Sequence, residues 1–286
     1  MNEPPHRSGV VALLGRPNAG KSTLLNRILG EKLAIVTPKP QTTRSRILGI
    51  RTLPAAQLLL LDTPGFHPGG RALNRFLNEL VREVAEDCDV ALVLVDGDRG
   101  WSEEHELLRS RLAGRGAAVL VVDTKIDLQR AGQRAVPADL RISARTGEGV
   151  EELLRAVVAR LPPGPRLYGE EALTDRTLRF LAAEQIREVV FEELAQELPY
   201  STAVEIEQYD ESRQDRVHIR ATLLVERASQ KGMVVGRGGA MIRRIGVRAR
   251  EALEDLLGVR VRLDLWVKVE PRWSRRPGRL RQLGYR

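Results

Sequence analysis

The run Gly15-Arg16-Pro17-Asn18-Ala19-Gly20-Lys21-Ser22 narrows the fold of this chain more than any other stretch. It has the spacing G-x-x-x-x-G-K-[ST], follows the apolar run Val10-Val11-Ala12-Leu13-Leu14 and opens a helical pattern over 21–29. A buried strand, a glycine loop and a helix in that order make a phosphate-binding loop. Glycine at both ends lets the backbone curl until successive N–H groups converge on phosphate oxygens, and the helix N-terminus adds its dipole. Lys21 is placed to reach the β- and γ-phosphates. The hydroxyl of Ser22, with Thr23 behind it, is placed to meet magnesium, which takes oxygen ligands in octahedral geometry.

Such a loop needs a parallel sheet, and the residues up to 165 supply one. Residues 58–61, 90–95 and 118–122 are short, nearly all apolar and followed by polar turns, as strands buried on both faces are. Helical patterns lie over 73–85, 102–112 and 150–161. The alternation predicts an α/β, doubly wound domain that binds ligands at the carboxyl ends of its strands. It stops at Pro162-Pro163-Gly164-Pro165, which cannot continue a helix. The expected organisation is a doubly wound P-loop domain over 1–165, a linker over 166–174, a smaller α+β domain over 175–270 and a basic tail over 271–286.

Charge is unevenly spread along the 286 residues, whose formal net charge is +8. Residues 212–286 hold 19 Lys and Arg against 7 Asp and Glu, whereas residues 171–211 hold 3 against 11. A basic last quarter suits a polyanionic partner. The single cysteine, Cys88, excludes an intramolecular disulfide, and no apolar run of about 18 residues is present to span a membrane. The N-terminal residues lack the apolar core of a secretory signal, so a cytoplasmic location is expected.

A phosphate loop does not choose between purines, but Thr124-Lys125-Ile126-Asp127 can. The carboxylate of Asp127 can accept from guanine N1–H and from the 2-amino group. Adenine offers neither donor and would leave the carboxylate unpaired. The Lys125 stem can lie along the base, and the Ala144 amide in Ser143-Ala144-Arg145 can donate to guanine O6. In Asp62-Thr63-Pro64-Gly65, Asp62 can hold a magnesium-bound water and the Gly65 amide can meet the γ-phosphate. In Pro40-Gln41-Thr42-Thr43-Arg44 a threonine, Thr43 in preference to Thr42, can join the magnesium only while the γ-phosphate is present. GTP, GDP and magnesium are therefore the expected ligands. Transfer of the γ-phosphoryl group to water is the expected chemistry, with Lys21, Thr43 and Gly65 at the reacting phosphate. Where some GTPases orient the water with glutamine this chain has Phe66, which predicts slow unassisted turnover.

Beyond the proline run the pattern reads α-β-β-α-α-β: a helix over 177–197, strands over 202–208 and 216–226, a short helix, a glycine turn, a helix over 241–257 and a strand over 259–268. The turn is Gly236-Arg237-Gly238-Gly239. In this element order G-x-x-G resembles the backbone clamp of a type II KH domain, which binds RNA. Lys231, Arg243, Arg244, Arg248 and Arg250 surround it, and Val235 and Ile242 either pack in the core or touch bases. In the arginine-rich tail, Arg272 and Trp273 either stack on and neutralise RNA or belong to a frayed terminus. His105 and His218 stand without metal partners, and no chemistry is assigned to them.

The string GRPNAGKSTLLNRILGEKLAIVTPKPQTTRSRILGI, with the KH pattern behind it, resembles the Era family of bacterial GTPases over nearly the whole chain. The resemblance implies binding near the 3′ end of small-subunit (16S) ribosomal RNA, a role in assembly of the small (30S) subunit, and a loose association with the inner membrane surface. A monomer is expected. In GTPases resembling this one, an Asn at the place of Asn18 helps hold a potassium ion that replaces the charge of an arginine finger; bracing of the loop is its other role. The chain departs from the family at Thr124, where Asn usually braces the phosphate loop and contacts the base. Threonine keeps a hydroxyl and loses the amide, so guanine specificity is expected to survive through Asp127, while tightness of binding is the property this exchange touches. Three competing readings are an RNA-binding module with a merely structural nucleotide pocket, an ATP-driven P-loop enzyme and a membrane-surface GTPase.

Overall fold

The computed structural model describes residues 5–37, 39, 46–63, 65, 79, 82–84, 86–114, 116–129, 136–195 and 197–284. The chain divides into two compact units, Met1–Ala34 with Arg46–Asp175, and Ile35–Ser45 with Arg176–Arg286.

The first unit is built on strands β1 (Arg7–Gly15), β2 (Ile47–Leu53), β3 (Ala56–Asp62), β4 (Val90–Asp96), β5 (Ala118–Thr124) and the short β6 (Leu140–Arg141), in the order β2-β3-β1-β4-β5-β6. All neighbours are parallel except β2, which runs antiparallel to β3. Every residue of β3 and β4 is buried, as the unbroken apolar runs require of strands covered on both faces. Helices α1 (Lys21–Leu29), α2 (Glu103–Ala113) and α3 (Val150–Val158) flank the sheet, with Leu108 and Leu112 of α2 packed against Ala91, Val93 and Val121. The helix expected over 73–85 lies mostly outside the described residues; Glu79 and residues 82–84 are helical.

Strand β2 was absent from the sequence expectation. Its pattern is only half apolar because it sits at the sheet edge, paired with β3 across Pro54 and Ala55. The proline run stays with this unit: the Gly164 N–H donates to the His6 carbonyl at 3.0 Å, and the unit continues to Asp175. Gln57, fully buried, accepts from the N–H groups of Leu167 (2.7 Å) and Tyr168 (3.0 Å). The Ile50 N–H donates to the Leu173 carbonyl at 2.8 Å, and the Thr174 hydroxyl to the Leu48 carbonyl at 2.6 Å. The stretch after the prolines is thus strapped along the outer edge of β2.

The second unit has helix α4 (Leu178–Glu193), strands β7 (Thr202–Arg213) and β8 (Arg216–Val225), helices α5 (Ala228–Val235) and α6 (Ala240–Leu257), strand β9 (Arg260–Val269) and a short C-terminal helix α7 (Pro277–Gln282). Its sheet runs β7-β8-β9, with β7 antiparallel and β9 parallel to β8. Thr177 caps α4, its hydroxyl accepting from the Phe180 N–H at 3.2 Å. One face of the sheet, through Val217, Ile219, Ala221, Leu223 and Val261, packs on Ile186, Val190, Ile245, Ala249 and Leu253. Within this unit the Val36 N–H donates to Glu188 at 3.1 Å, and Lys39 donates to the Leu194 carbonyl at 2.5 Å, near the C-terminal end of α4.

The tail is folded. Trp273, 1% exposed, packs with Ala203 and Leu224, and Leu280 and Leu283 close over them. Arg279 is held by Glu205 (2.6 Å) and Glu270 (3.0 Å). No helix among the described residues is long and apolar enough to cross a membrane.

Candidate nucleotide pocket and nucleic-acid groove

The phosphate loop leaves the carboxyl end of β1 and ends where α1 begins at Lys21. The Lys21 ammonium donates to the carbonyls of Gly15 and Arg16, both at 3.0 Å. Burial pushes its pKa from 10.5 to about 8, with the Asp62 carboxylate opposing the shift. The loop has three further anchors. Asn18 holds a left-handed backbone (φ 64°). Arg16 is paired with Glu104 at the start of α2 at 2.7 Å. Gly65 stands so close that a Cβ there would lie 2.6 Å from the Pro17 nitrogen, which only glycine permits.

The Ser22 hydroxyl donates to the Asp62 carboxylate at 2.6 Å, and Asp62 is fully buried at the end of β3. A hydroxyl and a carboxylate oxygen side by side beside a phosphate loop fit magnesium, a hard cation that keeps waters and phosphate oxygens for its other positions. No cluster of three or more His, Cys, Asp or Glu side chains that could hold a metal occurs among the described residues, in keeping with a cation that phosphates help to bind. Thr42, Thr43 and Phe66 lie outside the described residues.

The residues expected to read the base gather at the ends of β5 and β6. Asp127 accepts from the Ser143 hydroxyl (2.6 Å) and from Arg145 Nε (2.9 Å), and the Ser143 bond, first, with Arg145 holds its carboxyl below the usual range. Lys125 takes a left-handed backbone (φ 59°) and pairs with Asp96 at 2.8 Å. Thr124, 2% exposed, points its hydroxyl at the Ala19 carbonyl at 2.9 Å and at the Val95 carbonyl at 3.1 Å. The brace between the base motif and the phosphate loop is therefore kept by a hydroxyl.

Three residues outside the expected set help build the pocket. Arg27 on α1 donates through Nε to the Ala144 carbonyl at 2.7 Å and through Nη2 to the Arg145 carbonyl, fixing the loop that carries Ala144. Asp96 fixes Lys125, and Glu104 fixes Arg16. Asp96 ends β4, where a doubly wound sheet gathers its ligand contacts, and that position was a usable signal. His105 is accounted for by structure: it stacks on Trp101 (centroids 5.3 Å apart), its Nδ1 lies 2.7 Å from the Ser102 hydroxyl at the start of α2, and burial lowers its pKa to about 4.

In the second unit the Gly236–Gly239 turn joins α5 to α6. Gly236 has φ 73°, and a Cβ there would lie 2.7 Å from the Met241 Cβ, so two independent requirements call for glycine. Beside the turn lies a groove of about 460 Å³ lined by Gly239, Ile242, Arg243, Val247, Leu263 and Leu265, among others. An apolar floor, an arginine and a glycine turn at one end can hold an unstacked base and its phosphate. Lys231, Arg237, Gly238 and Arg243 are exposed. Arg244 is paired with Glu193, and Arg248 with Glu192 (2.6 Å) and Glu193 (2.5 Å), so these two fasten α6 to α4. Exposed Arg272 stays accessible to an anion, but Trp273 is core: its burial rules out the stacking on RNA expected of it. His218 pairs with Asp264 at 2.7 Å.

Family models agree with both units. One described as a 50S ribosome-binding GTPase matches residues 10–125, and one described as a KH domain matches residues 197–274. The GTPase Era of Geobacter metallireducens is 43% identical over 302 aligned positions that span 100% of both chains. That of Azotobacter vinelandii is 44% identical, covering 98% of this chain and 97% of the relative. A solved structure of an Aquifex aeolicus Era variant bound to GDP·AlF4⁻ superposes with a TM-score of 0.87 at 36% identity, covering 98% of this chain and 99% of that one. An Era structure in complex with MgGDPNP and nucleotides 1506–1542 of 16S ribosomal RNA gives the same TM-score, 0.87, the same identity, 36%, and the same coverage. With relatives more than 40% identical over its full length and a solved Era structure superposing over 98% of it, the chain belongs to the Era family of GTPases.

Proposed function

We propose that this GTPase is a switch that uses its KH unit to hold the 3′ region of small-subunit ribosomal RNA while the small subunit is assembled. The observation that carries the reading is the presence in one chain of a carboxylate pocket for guanine and an apolar, arginine-flanked groove behind a glycine turn. The relative solved with a GTP analogue and 16S RNA supports the same pairing of ligands.

The residues divide the work of hydrolysis. Asp127 selects guanine, and Ser143, Arg145 and Arg27 hold it and the Ala144 amide in register. Lys21 leaves the carbonyls of Gly15 and Arg16 for the β- and γ-phosphates, and the Gly65 N–H meets the γ-phosphate. Ser22, Thr43 and Asp62 would hold magnesium, which when bound would neutralise charge developing on the transferring phosphoryl group. Water attacks the γ-phosphorus, and GDP and phosphate leave. Without a glutamine after Gly65 turnover is slow. Asn18 at the phosphate loop would give potassium a carbonyl-type ligand. GTP orders the loops at Thr43 and Gly65, this ordering is coupled to RNA binding by the KH unit, and by linkage RNA is felt at the nucleotide. The exposed arginines of the tail, Arg272, Arg275 and Arg276, are the candidates for contact with anionic lipid.

The test uses the purified full chain. GTP turnover should exceed ATP turnover and vanish in Lys21→Ala. A 3′-terminal small-subunit RNA segment should bind more tightly than a scrambled one, and Gly238→Asp should remove that difference. Turnover should be faster in potassium than in sodium, and equal rates would remove Asn18 from the mechanism. Equal affinity for native and scrambled RNA would sink the ribosomal reading.

A further inference from the structure

The sheet of the second unit has a second face. Along β8 and β9 alternate side chains leave the core: Arg216, His218, Arg220, Thr222 and Leu224 on β8, and Arg260, Arg262, Asp264, Trp266 and Lys268 on β9. The tail covers the Leu224 end through Trp273, Leu280 and Leu283. From Trp266, one pair away from that covered end, to Arg260 at the far end the face carries a combination that a purely structural surface does not need. Trp266 is 45% exposed, one of the few large apolar side chains left on the surface, and the Arg220 guanidinium lies 5.2 Å from its ring centroid. Arg216 stands directly opposite Arg260 in the parallel register, and His218 opposite Arg262. Like charges directly across a sheet repel, so the arrangement opposes folding unless an anion answers it. Asp264 is shared between His218 at 2.7 Å and Arg262 at 3.6 Å, and from β7 Asp210 stands opposite His218 while Glu207 accepts from the Thr222 hydroxyl at 2.7 Å, so the carboxylates gather on the His218 and Thr222 side and the Arg216–Arg260 pair has none opposite it in the sheet.

The position of this strip ties it to the groove. Strand β9 is an edge strand, bonded only to β8. Its inward residues Leu263 and Leu265 line the groove, and its outward residues, one step along in sequence, form the basic strip. A chain lying in the groove reaches the strip by passing round this one edge strand.

We propose that the open face of β8 and β9 is a second contact for single-stranded RNA leaving the groove, with a base stacked on Trp266 beside Arg220 and phosphates on Arg216, Arg260 and Arg262. Each part has a chemical reason. An indole face accepts any base, an arginine above it adds a cation, and paired arginines on an edge strand follow a backbone. The inference rests on the KH unit holding RNA in the Gly236–Gly239 groove, and it extends the footprint beyond the about four nucleotides that such a groove clamps.

The experiment compares two RNAs on the full-length protein, one of about 4 nucleotides that fills the groove and one of about 12 that leaves it. Trp266→Ala should weaken the longer RNA roughly tenfold and leave the shorter unchanged, and Trp266→Phe should restore most of the loss. Arg260→Gln with Arg262→Gln should lower the salt dependence of the longer RNA by about 1.4 in logarithmic slope, two single-strand phosphate contacts. Both sites are exposed, so thermal melting should be unchanged. If Gly238→Asp weakens both RNAs while the Trp266 and arginine variants weaken neither, the outer contact is overturned and the groove stands. Equal losses on both RNAs by Trp266→Ala, or wild-type protein binding the longer RNA no more tightly than the shorter, also overturns it. So does unchanged RNA affinity with altered sedimentation, which would assign the face to contact between copies of the chain.

Discussion

Lys21 and Thr124 set how the nucleotide pocket responds to its surroundings. Between pH about 8 and 10.5 the folded chain has released a proton from Lys21 that the unfolded chain retains, so stability of the nucleotide-free protein rises with pH across that window. A triphosphate returns the missing counter-charge and draws the proton back. Calorimetry at pH about 8.5 in buffers of different ionisation enthalpy should therefore record proton uptake on GTP binding, and affinity should fall roughly tenfold per pH unit above about 8. No uptake would place Lys21 outside the phosphate site. At Thr124 a hydroxyl joins the base motif to the phosphate loop through the Ala19 carbonyl. Thr124→Val keeps the shape and removes that donor, which should weaken GTP about tenfold, or about 1.4 kcal/mol, whereas Thr124→Ser should bind as the parent does. Isothermal titration of the three proteins decides it.

At the scale of elements, the glycine turn between α5 and α6 carries a specific demand. Gly236→Ala must take both an unfavourable φ of 73° and a collision with Met241. It should cost the second unit about 1–2 kcal/mol in chemical denaturation and abolish RNA binding while leaving GTP turnover measured without RNA at the parental rate. What the sequence made legible follows from how local each signal is. The phosphate loop, the unbroken strands β3 and β4 and the G-x-x-G turn have a form set by neighbours in the chain, and each falls where its pattern put it. Strand β2 was not legible because an edge strand loses the apolar run that marks a buried one. Arg27 escaped notice because its partners, the Ala144 and Arg145 carbonyls, lie more than a hundred positions away and carry no side-chain signature. Trp273 was misread for a related reason. Beside six arginines an aromatic suggests stacking on a nucleic acid, and only the pairing of Ala203 with Leu224 across β7 and β8 reveals the apolar patch that it covers.

At the scale of the whole molecule, the strap over 166–174 changes what counts as a complete first unit. By composition the break falls at Pro162–Pro165, yet Leu173 and Thr174 continue the hydrogen bonding of β2. Removing them would leave the backbone donors and acceptors of a six-stranded sheet's rim open to other molecules, and an open rim recruits its own kind. A fragment ending at residue 165 should precipitate on concentration, whereas one ending at 175 should stay in solution with the same nucleotide affinity, as light scattering would record. On that expectation the closing residues of the first unit shield its sheet from self-association, a duty separate from anything done with nucleotide or RNA.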